Sequence, residues 1–321
     1  MSSTKPLVSV IVASYNYQDY IRKTLESLVN QTYKNIEIIV VDDGSSDDSL
    51  SVISEFTKKH KNVFLYTHPN HENKGLSETI QLALKHCHGQ WVAFCESDDY
   101  YDINNINEKI NFIKQHSDLD LVTNALTVNG GTVWDSRYIN WTYKILRRAK
   151  KNYFSYFIPN VLIVTFSSVM IKKNILENLD FDTPVKPWLD FWLWRQVALN
   201  SKIGFIDKKL TTFIRHPESY IHREKAEKLE LNRKSFIKQS DKLLYKKHGL
   251  KFLYRRYLPY IFGRTATAEF IRYWLFGIPI LTIEDKFLFS HIKYIYRIFG
   301  LIPVIIRKDK ITFNTDVIWS K

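Results

Sequence analysis

Four short runs rich in β-branched and aromatic residues, at positions 7–13 (LVSVIVA), 36–41 (IEIIVV), 63–66 (VFLY) and 91–95 (WVAFC), are separated by stretches of helical period. Near-continuous apolar runs of this length suit strands buried on both faces. Between the first two, Tyr20, Ile21, Thr24, Leu25, Leu28 and Val29 recur at helical spacing, and positions 50–59 and 75–85 supply two further helices. Strand and helix therefore alternate four times. Parallel neighbours need such crossovers, so an α/β fold is expected, with a mostly parallel open sheet and helices on both faces. Ligands of such sheets bind beyond the carboxyl ends of the strands, which directs attention to the polar cluster after each run.

The rest of the 321-residue chain lacks this regularity. Beyond Leu126, aromatic and basic residues mix over positions 134–157, an apolar strand-like run follows over 161–171, and a Trp-rich stretch spans 188–194. Positions 223–248 read as one long polar helix with Leu229, Phe236, Leu243 and Leu244 as its buried stripe and Gly249 as its stop. The net charge of +13 divides unevenly: residues 1–135 hold 11 Lys+Arg against 18 Asp+Glu, leaving 35 against 15 for the remainder, so −7 and +20. A basic half of that size suits nucleic acid, an anionic membrane or a phosphorylated substrate. Two cysteines, Cys87 and Cys95, give no disulfide framework, and a reducing compartment is expected. Positions 1–7 show no secretory pattern, and no apolar run reaches 18 residues, so neither a leader nor a membrane-spanning helix is expected.

The densest chemical feature is Glu96-Ser97-Asp98-Asp99, directly after the fourth apolar run. Three carboxylates in four residues repel one another at a buried strand end, and hard oxygen donors in that number suit Mg²⁺ or Mn²⁺ completed by substrate phosphates. The competing reading is a solvated loop in which Asp99 caps the helix near Asn104. Ala13-Ser14-Tyr15-Asn16 and Asp42-Asp43-Gly44-Ser45 follow the first and second runs on the same sheet edge. Tyr15 offers a stacking face, and Asp43 can accept the imide N–H of uracil; turn and cap roles are the alternative. At Asn73-Lys74-Gly75, before another helix, free backbone N–H groups and Lys74 can meet phosphate.

Taken in order, VSVIVASYN, IEIIVVDDGSSDDS, NKGLSETI and FCESDDYY resemble the nucleotide-sugar-binding half of the inverting family 2 glycosyltransferases, which have the GT-A fold. The resemblance implies that Asp43 contacts uracil, that the Ala13, Tyr15 and Asn16 turn packs on it, and that Asp98 and Asp99 hold ribose and a Mn²⁺ or Mg²⁺ bridging the diphosphate. Glu96 stands where the family commonly has Asp, so the metal is expected chiefly on Asp99. Positions 188–195 (WLDFWLWR) resemble the acceptor-side motif, which makes Asp190 the matching general base. Phe191 and Trp192 beside it would limit its hydration and raise its basicity; a helix cap is the alternative. Arg215-His216 resembles a basic pair that relatives place near the diphosphate, although a structural Arg–carboxylate pair and a surface His fit equally.

On this resemblance, residues 1–222 form the catalytic domain, with a nucleotide-sugar half (1–125) and an acceptor half (126–222). Residues 223–321 form a mainly helical, aromatic and basic C-terminal region. The expected reaction is inverting transfer from a UDP-sugar to a hydroxyl of a glycan acceptor, lipid-linked in the membrane setting, during bacterial surface polysaccharide synthesis. The Tyr, Trp, Lys and Arg content of residues 251–310 suits peripheral attachment to the inner face of the cell membrane, while a helical subdomain or an oligomer contact would bury the same aromatics. A nucleotidyltransferase would carry a Gly- and Arg-rich loop at 13–18, which is absent here. A nucleic-acid binder is disfavoured by the acidic first domain, so no nucleic-acid partner is expected.

Overall fold

The computed structural model describes residues 5–131, 133–148, 162–184, 188–216 and 226–253, together with six strands between 262 and 313. Packing divides the chain into two compact units, Met1–Ile139 with Ile163–Phe236 and Asn140–Leu162 with Ile237–Lys321.

The first unit is built as the alternation demands. Strand β1 (Val8–Ser14) leads through helix α1 (Gln18–Val29) to β2 (Ile36–Asp42), then through α2 (Ser49–Lys59) to β3 (Val63–Thr67), and through α3 (Leu76–Lys85) to β4 (Trp91–Phe94). These four strands pair in parallel in the order β3-β2-β1-β4. All seven residues of β2 are buried, as its unbroken apolar sequence requires of a strand covered on both faces. Val8, Val10 and Val12 of β1 pack with Ile21, Leu25 and Leu28 of α1 and with Ile38 and Val40 of β2 to make the main core.

The sheet continues with less regular pieces. After the two-residue β5 (Tyr100–Tyr101) come α4 (Asn105–Gln115), β6 (Leu121–Gly130), α5 (Val133–Arg148), β7 (Val169–Lys172), the short α6 (Lys173–Leu176), α7 (Leu189–Asn200) and β8 (Ile203–Arg215). Strand β7 inserts antiparallel between β4 and β6, β8 runs parallel to β6, and β5 closes the edge antiparallel to β8. The sheet thus has eight strands in the order β3-β2-β1-β4-β7-β6-β8-β5. The apolar run expected as a strand over 161–171 is a strand only from Val169; Phe166–Ser168 is a single 3₁₀ turn, a difference that matters below.

One buried group stands out beneath the acidic turn. The ammonium of Lys109 on α4 has no solvent exposure and no hydrogen-bond partner among the described residues, and it lies 5.1 Å from the Tyr101 ring centroid. Burial pushes this lysine down to about 7.

The C-terminal region departs from expectation. Helix α8 (Ala226–His248) is present, and Gly249 stops it in a left-handed conformation with φ +51°. Leu243, however, belongs to the exposed side and not to the buried stripe. Beyond the helix the described residues form strands where helices were expected: β9 (Phe262–Ala266), β10 (Phe270–Leu275), β11 (Ile278–Glu284), β12 (Ile292–Ile298), β13 (Ile302–Arg307) and β14 (Lys310–Phe313). They pair antiparallel in sequence order. Segments such as IKYIYRI and IPVIIR are β-branched and aromatic with no helical period, and that strand preference was obscured when the region was read by composition. The side chains expected to meet a membrane over 254–310 lie outside the described residues.

Candidate active site

The acidic turn hangs from the buried strand β4 and is clamped from beneath. The hydroxyl of Thr24 on α1 lies within reach of the carbonyls of Ser97 (2.9 Å) and Asp99 (2.7 Å), its single proton serving one at a time, and the Tyr101 hydroxyl donates to the carbonyl of Phe94. The turn closes with the Asp99 N–H donating to the Glu96 carbonyl at 3.0 Å. With the backbone fixed, the three carboxylates have unlike surroundings.

Asp99 is wholly buried. Its Oδ1 accepts the backbone N–H of Ile214 on β8 at 2.9 Å, and its Oδ2 lies 3.1 Å from the Thr165 hydroxyl. Asp98 is partly exposed, with Oδ2 3.0 Å from Nε2 of His216. Glu96 is also partly exposed and hydrogen-bonds the same Thr165 hydroxyl, whose single proton serves one carboxylate at a time. Burial, and then the neighbouring Asp98 charge, pushes Asp99 up to about 8. Burial raises Asp98 as well, offset in part by His216. Glu96 is driven well above the usual carboxylate range by burial, by Asp99 and Asp98, and by the charge of Asp190.

Asp190 sits in the first turn of α7, partly exposed, with Oδ1 accepting the Phe191 N–H at 2.7 Å. Burial lifts it to about 6, partly opposed by that hydrogen bond. Phe191, Trp192 and Trp194 after it are buried, and the Trp194 ring packs 5.4 Å from Phe166 and 6.1 Å from Phe94. The tryptophan thereby ties the helix bearing Asp190 to the strand bearing the acidic turn and to the 3₁₀ turn beside Thr165. Sequence reasoning missed Thr165, which lay hidden inside an apolar run; a hydroxyl flanked by Phe166, Ser167 and Ser168 was the available signal.

His216 is fixed by aromatics. Its ring stacks on Tyr20 with centroids 4.7 Å apart and meets the edge of Tyr17 at 5.8 Å. Tyr17 was not foreseen, and Tyr20 was read only as part of the apolar stripe of α1. The Arg215 guanidinium lies over the Phe213 ring at 5.5 Å.

The first two strand ends do come together. The Asp43 N–H donates to the Ser14 carbonyl at 2.8 Å, beside Ala13. Asn16, left-handed at φ +56°, donates its N–H to Ser45 Oγ (3.0 Å) and accepts the Ser46 N–H on Oδ1 (2.8 Å). Asp42 is fully buried and caps the turn by accepting the N–H and hydroxyl of Ser45 at 2.9 and 2.6 Å. Tyr15 is left 45% exposed, available for stacking. Asp43 accepts the N–H groups of Lys74 (2.7 Å) and Gly75 (2.9 Å), with His68 Nε2 3.5 Å away. The backbone donors expected to greet phosphate are thus turned onto Asp43, and the Lys74 ammonium pairs with Glu72 at the surface. Gly44, at φ +78°, lets this loop approach: a Cβ there would lie 2.7 Å from the His71 carbonyl oxygen.

Among the described residues no group of three or more His, Cys, Asp and Glu is arranged to hold a metal ion by itself. The donor set fits a different arrangement, in which one or two carboxylates share an ion with phosphate oxygens.

Comparison with known proteins agrees with this geometry. The family model described as Glycosyl transferase family 2 matches residues 9–180, just over half of the chain. An uncharacterised glycosyltransferase of Methanocaldococcus jannaschii is 27% identical over 233 residues, 70% of this chain and 77% of that protein. The Escherichia coli UDP-Glc:alpha-D-GlcNAc-diphosphoundecaprenol beta-1,3-glucosyltransferase WfaP is 42% identical over 108 residues, 34% of this chain and only 41% of its own length. Among solved structures, Staphylococcus aureus TarS in complex with UDP-GlcNAc aligns over 78% of this chain and 73% of that one, with TM-score 0.54 and 21% identity. The Pyrobaculum calidifontis mannosyltransferase PcManGT with GDP-Man and Mn²⁺ aligns over 80% and 70%, with TM-score 0.58 and 17% identity. At these identities the structures speak for a shared GT-A-type fold. With a matching family model, glycosyltransferase relatives and an acidic turn in the expected place, the chain belongs to glycosyl transferase family 2 and is a glycosyltransferase.

Proposed function

We propose that the chain transfers a sugar, with inversion, from a UDP-sugar to a hydroxyl of a glycan acceptor in surface polysaccharide synthesis, using Asp190 as general base. The observation that carries this reading is the packing of Trp194 on α7 against Phe94 and Phe166, which sets the helix bearing Asp190, lifted to about 6 by burial, beside the acidic turn. A base of that strength is largely ionised at neutral pH yet holds a proton far better than an ordinary aspartate. It removes the proton of the acceptor hydroxyl as that oxygen attacks the anomeric carbon from the face opposite the diphosphate.

The donor side is assigned to the remaining residues. Tyr15 stacks on the base, Asp43 accepts its imide N–H with lone pairs left over from Lys74 and Gly75, and Ala13 and Asn16 shape the turn. Of the two aspartates expected to hold a divalent ion, Asp98 is assigned to it in place of Asp99. The exposure of Asp98 makes it the direct ligand, and the buried Asp99 fixes the turn to β8. When bound, Mn²⁺ or Mg²⁺ supplies positive charge against the diphosphate oxygens. His216 orients Asp98, and Arg215, the last residue of β8, is assigned to the leaving diphosphate. Relatives named for UDP-Glc and UDP-GlcNAc favour uracil, and the WfaP acceptor, a diphosphoundecaprenol, favours a lipid-linked acceptor at a membrane surface.

A panel of UDP-, GDP- and TDP-sugars assayed for Mn²⁺- or Mg²⁺-dependent hydrolysis tests the reading. UDP-sugar hydrolysis should dominate and stop on chelation. Preference for a guanine donor, or full activity in chelator, would refute the donor or metal assignment.

A further inference from the structure

One exposed surface has no part in the site above. On α8 the residues Phe236, Ser240 and Leu244, four apart, are buried. Lys238, Lys242 and Lys246 share that spacing but are exposed. At roughly 100° per residue the two rows sit about 160° apart round the helix. The lysines therefore form a row on the outward side. Lys238, Lys242, Lys246 and Lys247 have no ion-pair or hydrogen-bond partner among the described residues. From residue 238 to 251 the sequence holds five lysines and His248 against one acid, Asp241. Partial burial and the charges of Lys247 and Lys251 hold the His248 imidazole below its ordinary value.

Exposed apolar groups border the row on both sides and at its end. Leu243 is 39% exposed and Tyr245 50%, and in helical projection they flank the lysine row; Leu250, 81% exposed, follows just past the helix end. We propose that this face of α8 and the turn after it, residues 238–250, docks on the anionic surface of a lipid bilayer. The lysines meet phosphate headgroups while Leu243, Tyr245 and Leu250 enter the headgroup–acyl boundary. Charge complementarity selects this partner. The row contains lysine and no arginine, lacking the planar forks typical of base and nucleic-acid recognition, and its leucines gain nothing from a hydrated polyanion. The helix lies on the bilayer and does not cross it, since no described helix is long and apolar enough to span a membrane.

This surface extends the membrane-facing part of the proposed function, and its test measures binding without transfer, so the two can fail separately. Full-length protein is sedimented with vesicles of pure phosphatidylcholine and with vesicles containing phosphatidylglycerol, at low and high salt. Partition should favour the anionic vesicles and weaken with salt. The triple variant Lys238→Gln, Lys242→Gln, Lys246→Gln should bind them on the order of a hundredfold more weakly, from the usual contribution of each lysine at such a surface. Leu243→Ser with Leu250→Ser should weaken binding in both salts. Thermal melting and donor hydrolysis verify that each variant is folded. Equal binding to neutral and anionic vesicles, unchanged binding by the folded triple variant, or tighter binding to single-stranded RNA than to vesicles would overturn the proposal.

Discussion

If Asp190 is the base, the pH dependence of turnover should carry its signature. An aspartate at the ordinary 3.8 is almost fully ionised at pH 5, so its activity would be flat from pH 5 to 8. Lifted to about 6, Asp190 is roughly 90% ionised at pH 7 and roughly 10% at pH 5, which predicts about a tenfold fall in kcat between them. The assay is UDP release at saturating donor, metal and acceptor across pH 4.5–8. Asp190→Asn should lower kcat by about 10²–10⁴-fold, leave UDP binding within about twofold, and remove the inflection near 6. Asp190→Glu should keep an inflection at a reduced rate. Glu96 is also strongly perturbed, so Glu96→Gln supplies the control: the inflection should survive it. A wild-type profile flat from pH 5 to 7, or an Asn variant at full rate, would refute the assignment.

Three further outcomes follow from the structure. Asp98→Asn should abolish metal-dependent UDP binding in calorimetry, and Mn²⁺ should raise the wild-type melting temperature more at pH 8 than at pH 5, where protons compete for the raised carboxylates. Lys109→Met should stabilise the fold: the native lysine titrates near 7 and the unfolded one near 10.5. The unfolded chain therefore binds the extra proton between those values, and native stability rises with pH across that window. The penalty, fully present below pH 7 and gone above about 10.5, is about 5 kcal/mol as an upper bound, so denaturant melts at pH 6 should show a gain of a few kcal/mol and a flatter pH dependence. Gly44→Ala should destabilise by roughly 1–3 kcal/mol in the same melts and weaken nucleotide binding, because the new methyl meets backbone at 2.7 Å in a left-handed residue.

Much of the donor half was legible because it depends on local pattern. The βαβ alternation fixes a parallel sheet, and any polar cluster following a buried run must emerge at the sheet's carboxyl edge. What could not be read was the division of labour between adjacent carboxylates. Asp99 is drawn inward by a backbone N–H at Ile214, 115 residues away, and by a hydroxyl at Thr165, 66 residues away, so chemistry that looked equivalent in sequence ends with Asp98 outside and Asp99 within. At Lys74 and Gly75 a helix start offers free donors only until a distant side chain, here Asp43, claims them. In the C-terminal region composition hid β-strand preference, and on α8 Leu243 fitted the apolar stripe by spacing but sits past its edge.

The grip of Asp43 on the start of α3 also restricts how this enzyme can diverge. An asparagine there keeps the size but offers one acceptor where two N–H groups wait, leaving a donor unsatisfied at about 1–3 kcal/mol. If Asp43 holds the nucleobase as proposed, changing it to alter base preference would loosen the helix before any new ligand could repay the loss. On the proposed role of Asp43, selection for a different donor would have to rework residues 68–75 together with it.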